Sequence, residues 1–80
     1  MRGYAFTDYF TESVARRRPY LRREWCIRVI ENPLRTEVQV DNRVRFWGKI
    51  DEHGGRVLRV VTLPDRATIH NAFFDGRFKP

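Results

Sequence analysis

The sequence is poor in cysteine, histidine and lysine: Cys26 stands alone, His53 and His70 are the two histidines, and Lys49 and Lys79 the two lysines. A single cysteine excludes an internal disulfide, and one cysteine with two histidines cannot make a Cys/His cluster at the spacing of a structural zinc site. A reducing cytoplasm is the expected setting, with no metal or other cofactor implied. No apolar run approaches the ~20 residues needed to cross a bilayer, and the amino terminus has charge and aromatics but no signal-peptide apolar stretch. Neither a membrane location nor export is expected. With only 5 Gly and 4 Pro against 41% hydrophobic residues, the composition is that of a folding chain. Eighty residues allow a single domain, 1–80, with one small core, because a chain this short buries only about 60% of its unfolded surface.

Acidic residues are also few. Ten of them face 16 basic ones, which leaves a net charge of +6 and a pI near 10.4. For so small a domain this points to an anionic partner, nucleic acid first. Apart from the two lysines the basic residues are arginines, whose planar fork grips phosphate and stacks on bases. A GC-rich genome produces the same arginine bias, but the net positive charge stands under either explanation.

Periodicity divides the chain in two. After Thr7, the stretch DYFTESVARRR places Phe10 and Val14 at helical spacing from Phe6, with acids early and arginines late, as the helix dipole favours. Pro19 ends that helix. In YLRREWCIRVIENP, residues 20–33, Leu21, Trp25, Cys26, Val29 and Ile30 make a core stripe and Arg22, Arg23 and Arg28 a basic face. Cys26 reads as a small buried hydrophobe, since no cation on its face would stabilise a thiolate.

From Leu34 the period becomes two. RTEVQV, RVRFWGKI, RVLRVVTL and ATIHNAFF alternate or run apolar, separated by Asp41-Asn42, DEHGG and PDR. The third run is apolar on both sides except at Arg59, as a central strand would be. The expected fold is α+β: two N-terminal helices packed on one face of a four-stranded antiparallel meander.

The outward face of RVRFWGKI reads Arg43, Arg45, Trp47 and Lys49, three cations and an indole at two-residue spacing. Cations suit the phosphate backbone, and an exposed aromatic stacks on unpaired bases; the same row is also what a solvated strand face looks like. Arg22 and Arg23 on the second helix are further candidates for RNA contact. Arg59 must reach the open face of the sheet, either to meet an acid such as Glu37 or Asp75 or to await a ligand phosphate. If the larger apolar set of ATIHNAFF faces the helices, His70 shares the open face with Arg45, Lys49 and Arg59. There it suits general acid or base work on a phosphodiester, though a hydrogen-bonded strand histidine would look the same. Asp75-Gly76 reads as a turn that brings Arg77 back over the sheet edge, and His53 as filler on a mobile hairpin tip.

The helix RPYLRREWCIRVIENP followed by VRFWGKI, RVLRVVTL and TIHNAFFDGRF resembles a family of small prokaryotic proteins related by architecture to the BrnT and RelE-type toxin ribonucleases. The resemblance implies a metal-independent endoribonuclease held in check by a co-encoded antitoxin. Carried onto this sequence, it makes His70 the acid or base with Arg59 and Arg77 as catalytic partners, and Arg45 and Lys49 phosphate binders. The aromatic hydroxyl that RelE-type toxins often carry near the carboxyl terminus has no counterpart, because no tyrosine follows Tyr20. Two other functions fit the same residues: a non-catalytic RNA- or DNA-binding module, and a small adaptor that docks a protein along an unprotected sheet edge.

Overall fold

A computed structural model describes residues 3–79. The chain runs through β1 (Ala5–Phe6), a first helix made of a π-helical stretch (Phe10–Val14) and α1 (Ala15–Arg17), then α2 (Arg23–Glu31), β2 (Arg35–Val38), β3 (Val44–Ile50), β4 (Arg56–Thr62) and β5 (Thr68–Phe74). All five strands join one sheet in the order β1-β5-β4-β3-β2.

This corrects the expected four-stranded antiparallel meander behind two N-terminal helices. A strand comes first, and it runs parallel to β5, with Ala5 beside Thr68 and Phe6 beside Ile69. The sheet is therefore mixed, and both helices lie between β1 and β2. Phe6, expected on the first helix, belongs to β1, where the Ala5 N–H donates to the Ala67 carbonyl and the Thr7 N–H to the Ile69 carbonyl, both at 3.0 Å. Two residues are too few to show a period, so nothing in the local pattern marks this strand. Thr7 then stops it: its hydroxyl accepts from the Phe10 N–H at 3.1 Å, capping the helix that follows.

One face of the sheet is sealed. Phe10 and Val14 from the first helix and Trp25, Cys26, Val29 and Ile30 from α2 pack with Val44, Phe46, Ile50, Leu58, Val60, Ile69 and Ala72 into one core. The 3.6-residue stripe of α2 meets the period-two face of β3 and β4 here. Burial pushes the Cys26 thiol up to about 12, which keeps it an unionised core side chain. Gly48 lies directly beneath Val29, and the missing side chain is what lets α2 settle on β3.

The β3–β4 hairpin is fastened as well. Arg28 on α2 holds Glu52 through two bonds of 2.8 Å, which lowers the Glu52 carboxyl to about 2. His53 stacks on Phe74 at 4.3 Å and on Tyr20 at 5.6 Å. It is thus part of an aromatic cluster and not filler on a mobile tip. The hairpin closes through Gly54 and Gly55, both with left-handed φ.

Gly48→Ala would place a Cβ 2.9 Å from Val29 Cγ2 and 3.3 Å from the Val29 Cα. Part of that clash is with helix backbone, so the substitution is expected to destabilise the fold by about 1–3 kcal/mol. A urea unfolding curve checks this, and an unchanged midpoint would contradict the packing described.

Candidate nucleic-acid interface

Among the described residues no helix packs across the opposite face of the sheet, although the start of the first helix reaches its His70 end. Its residues follow from register: Trp47 on β3 pairs with Arg59 on β4 and with Arg35 on β2, and Arg59 pairs with Phe73 on β5. A row of alternating cations and rings results. The Arg59 guanidinium lies 5.6 Å from the Trp47 ring and 5.1 Å from the Phe73 ring. Arg18, from the end of the first helix, stands 5.9 Å from the far side of the row at Phe73.

Residues 75–79 fold back over this row. Phe78 stacks on Trp47 at 5.8 Å and lies 4.9 Å from the Arg35 guanidinium. Arg35 also donates to the Lys79 carbonyl at 3.0 Å, and the Trp47 indole N–H donates to Asp75 Oδ2 at 3.1 Å. That hydrogen bond, with the Arg77 N–H and the charges of Arg59 and Arg77, holds the Asp75 carboxyl below its usual range. Trp47 is left only 5% exposed. The indole is on the expected face, but it is not an exposed platform for bases, because a segment remote in sequence covers it.

Arg59 meets both alternatives posed for it in part. Asp75 and Glu37 act on its charge at a distance, but desolvation outweighs them and the neighbouring Arg45 opposes them, so its pKa is lowered. Among the described residues no carboxylate lies within 4.0 Å of Arg59, Arg18, Arg77 or Lys49. Arg45 is partly engaged, 4.0 Å from Glu37 and beside the Gln39 side-chain amide. Arg43 stands 3.7 Å from Asp41. The face as a whole keeps an excess of positive charge.

His70 lies at the other end of β5. The β4–β5 register slips between Val61 and Thr62: Asn71 faces Val61 and Ile69 faces Thr62, so His70 is the extra residue of a bulge. The expected grouping of Thr68, His70, Ala72 and Phe74 on one face is broken by it. Ile69 and Ala72 both enter the core, while His70 stays half-buried beside Asn71.

The imidazole neighbours are also different from those expected. Nδ1 is 3.1 Å from the Thr7 hydroxyl, and the ring stacks on Tyr9 at 4.8 Å. Arg17 donates to the Tyr9 hydroxyl at 3.2 Å. Desolvation, then the charge of Arg43, lowers the His70 pKa, so the ring is neutral at pH 7. Arg59 and Arg77 instead gather around Asp75; the trio His70, Arg59 and Arg77 is divided between two ends of the face. Thr7, Tyr9 and Arg17 are the site residues the sequence did not single out, while Arg43 was read on the outward face of β3 without a link to His70. The one local signal was Thr7 immediately before the first helical stretch.

Arg22 and Arg23 belong to the helical layer and do not join Arg45, Trp47 and Lys49. Arg22 is 3.7 Å from Glu24, and Arg23 lies over Phe6 at 5.0 Å. A cleft of about 550 Å³ on that side is lined by Tyr20, Arg22, Glu24, Trp25, Arg28 and Glu52. Its two arginines are matched by two glutamates, so it offers a polyanion no net attraction. Among the described residues there is no group of three or more His, Cys, Asp or Glu able to hold a metal, and no helix long and apolar enough to cross a membrane. No family model, curated protein or solved structure matches this chain.

A depressed histidine pKa has a definite consequence. The fold favours neutral His70, so stability contributed by this group is complete above the usual value of about 6.5 and falls as pH drops through the lower folded value. Histidine NMR titration should give His70 a midpoint below 6.5, and Arg43→Ala should move it upward. A midpoint indifferent to that substitution would mean that Arg43 does not face the ring.

Proposed function

We propose that the protein is a single-stranded RNA-binding module that grips the phosphate backbone with the open face of its sheet. The observation that carries this is the surplus of cations on that face, with no carboxylate within 4.0 Å of Arg59, Arg77 or Lys49 among the described residues. A flat sheet cannot enter a duplex groove as a helix does, whereas a single strand can lie along it. Phosphate contacts dominate in this account, because the Trp47 ring is occupied by Phe78. Half-buried Phe73, flanked by Arg18 and Arg59, is the remaining aromatic surface.

A second reading, a metal-independent endoribonuclease of the BrnT/RelE toxin type with an antitoxin partner, is favoured by the surroundings of His70. A neutral imidazole oriented by a hydroxyl suits a general base. With Nδ1–H donated to Thr7, Nε2 is the nitrogen that would take the proton of a 2′-hydroxyl as it attacks phosphorus; the P–O5′ bond breaks, a 2′,3′-cyclic phosphate forms, and the departing 5′-oxygen takes a proton from water. Arg43 is the cation whose charge acts on the ring. Tyr9 supplies an aromatic hydroxyl from the opposite end of the chain to the one where the resemblance sought it.

Fluorescence anisotropy with a labelled RNA oligonucleotide separates these. Lys49→Ala/Arg77→Ala removes two exposed cations without disturbing a hydrogen bond of either side chain. It should weaken binding similarly across sequences, and make the slope of log K against log salt shallower by about 0.7 per cation removed. Binding that ignores both salt and the substitutions would contradict the proposal. RNA recovered intact after incubation assigns the protein to the binding module, while cleavage that disappears in His70→Ala assigns it to the ribonuclease.

A further inference from the structure

β2 is an edge strand, and it is bare. All four of its residues are exposed, and of the five exposed large hydrophobics among the described residues three, Leu34, Val38 and Val40, lie in or beside it. Backbone direction alternates along it. Arg35 and Glu37 face Trp47 and Arg45 as partners, and the Gln39 N–H continues the same series by donating to the Arg43 carbonyl at 2.7 Å. The odd-numbered residues thus turn their backbone groups toward β3, which leaves those of Thr36 and Val38 pointing outward.

We infer that β2 pairs with β2 of a second copy of this chain, antiparallel and centred on Thr36. In that register the two Thr36 residues exchange both backbone hydrogen bonds, and Val38 comes beside Leu34 of the other copy. The charges select it. Arg35 falls opposite Glu37 of the second copy, twice over by symmetry, and both lie on the same face of the extended sheet. Centring the pair one half-step away, on Arg35 or on Glu37, sets identical charges against each other, which is unfavourable for directly opposed residues. Leu34 limits the pairing, since its own N–H is already donated to the Trp47 carbonyl at 2.7 Å and is not free to donate to Val38 of the second copy.

Such pairing is isologous, with a two-fold axis perpendicular to the sheet. It makes one ten-stranded sheet with the helices of both copies on one side and both cationic faces on the other. The association does not depend on the RNA-binding proposal, and its test contains no nucleic acid.

Sedimentation velocity of the full chain over a concentration series should show a reversible monomer–dimer equilibrium. Thr36→Pro removes an outward N–H that β3 does not use, so it should leave a folded monomer with unchanged circular dichroism. Glu37→Arg should weaken association by about tenfold or more, since two attractive pairs become repulsive, and Arg35→Glu/Glu37→Arg should restore it. A chain that stays monomeric throughout overturns the inference. So does a Thr36→Pro variant that still dimerises, or a charge-swapped double variant no better than Glu37→Arg alone.

Discussion

A guanidinium held between two aromatic rings is the interaction on which this small fold turns. Arg59 sits on the central strand, between Trp47 and Phe73, with no carboxylate within bonding distance among the described residues. Such contacts are worth about 0.5–1 kcal/mol at exposed sites and ~2 when desolvated. They let the second face of the sheet be filled without a second layer of helices and without neutralising its charge. The core face, by contrast, is closed by α2 and the first helix in the ordinary apolar way. One sheet therefore presents two unlike surfaces, and the cationic one is left available.

That division also explains where the ends of the open face differ. Near Asp75, the indole hydrogen bond, Phe78 and the Arg35–Lys79 contact tie residues 75–79 onto the row. Near His70, the cover comes from the first helix, whose capping residue Thr7 meets the imidazole while Tyr9 stacks on it. The same threonine thus ends a strand, begins a helix and orients a side chain on a third element.

Much of this was legible in the sequence where the signal is chemical and local. The alternation in VRFWGKI, the apolar run of β4 and the stripe of α2 each mark their element because burial imposes a period. Arg59 was visible as a cation that had to reach the open face. What could not be read was non-local. Two residues of β1 carry no period, so its parallel pairing with β5 was invisible and the sheet was expected to be antiparallel. Trp47 alternates correctly yet is buried, because Phe78 arrives from thirty-one positions later in the chain. The bulge at His70 breaks the alternation of β5, and the residue lies at the end of the face away from the arginines it was expected to join.

The central claim is that an anionic strand lies on the cationic face of the sheet and not on the helical side. Titrating the isotopically labelled chain with single-stranded RNA and following backbone and arginine side-chain NMR signals tests it directly. Shifts concentrated at Arg45, Arg59, Asn71 and Phe73, with Arg22, Arg23 and Arg28 unmoved, are the predicted result. Shifts that map instead to α2 and the Arg28–Glu52 cleft, or none at RNA excess, would contradict it.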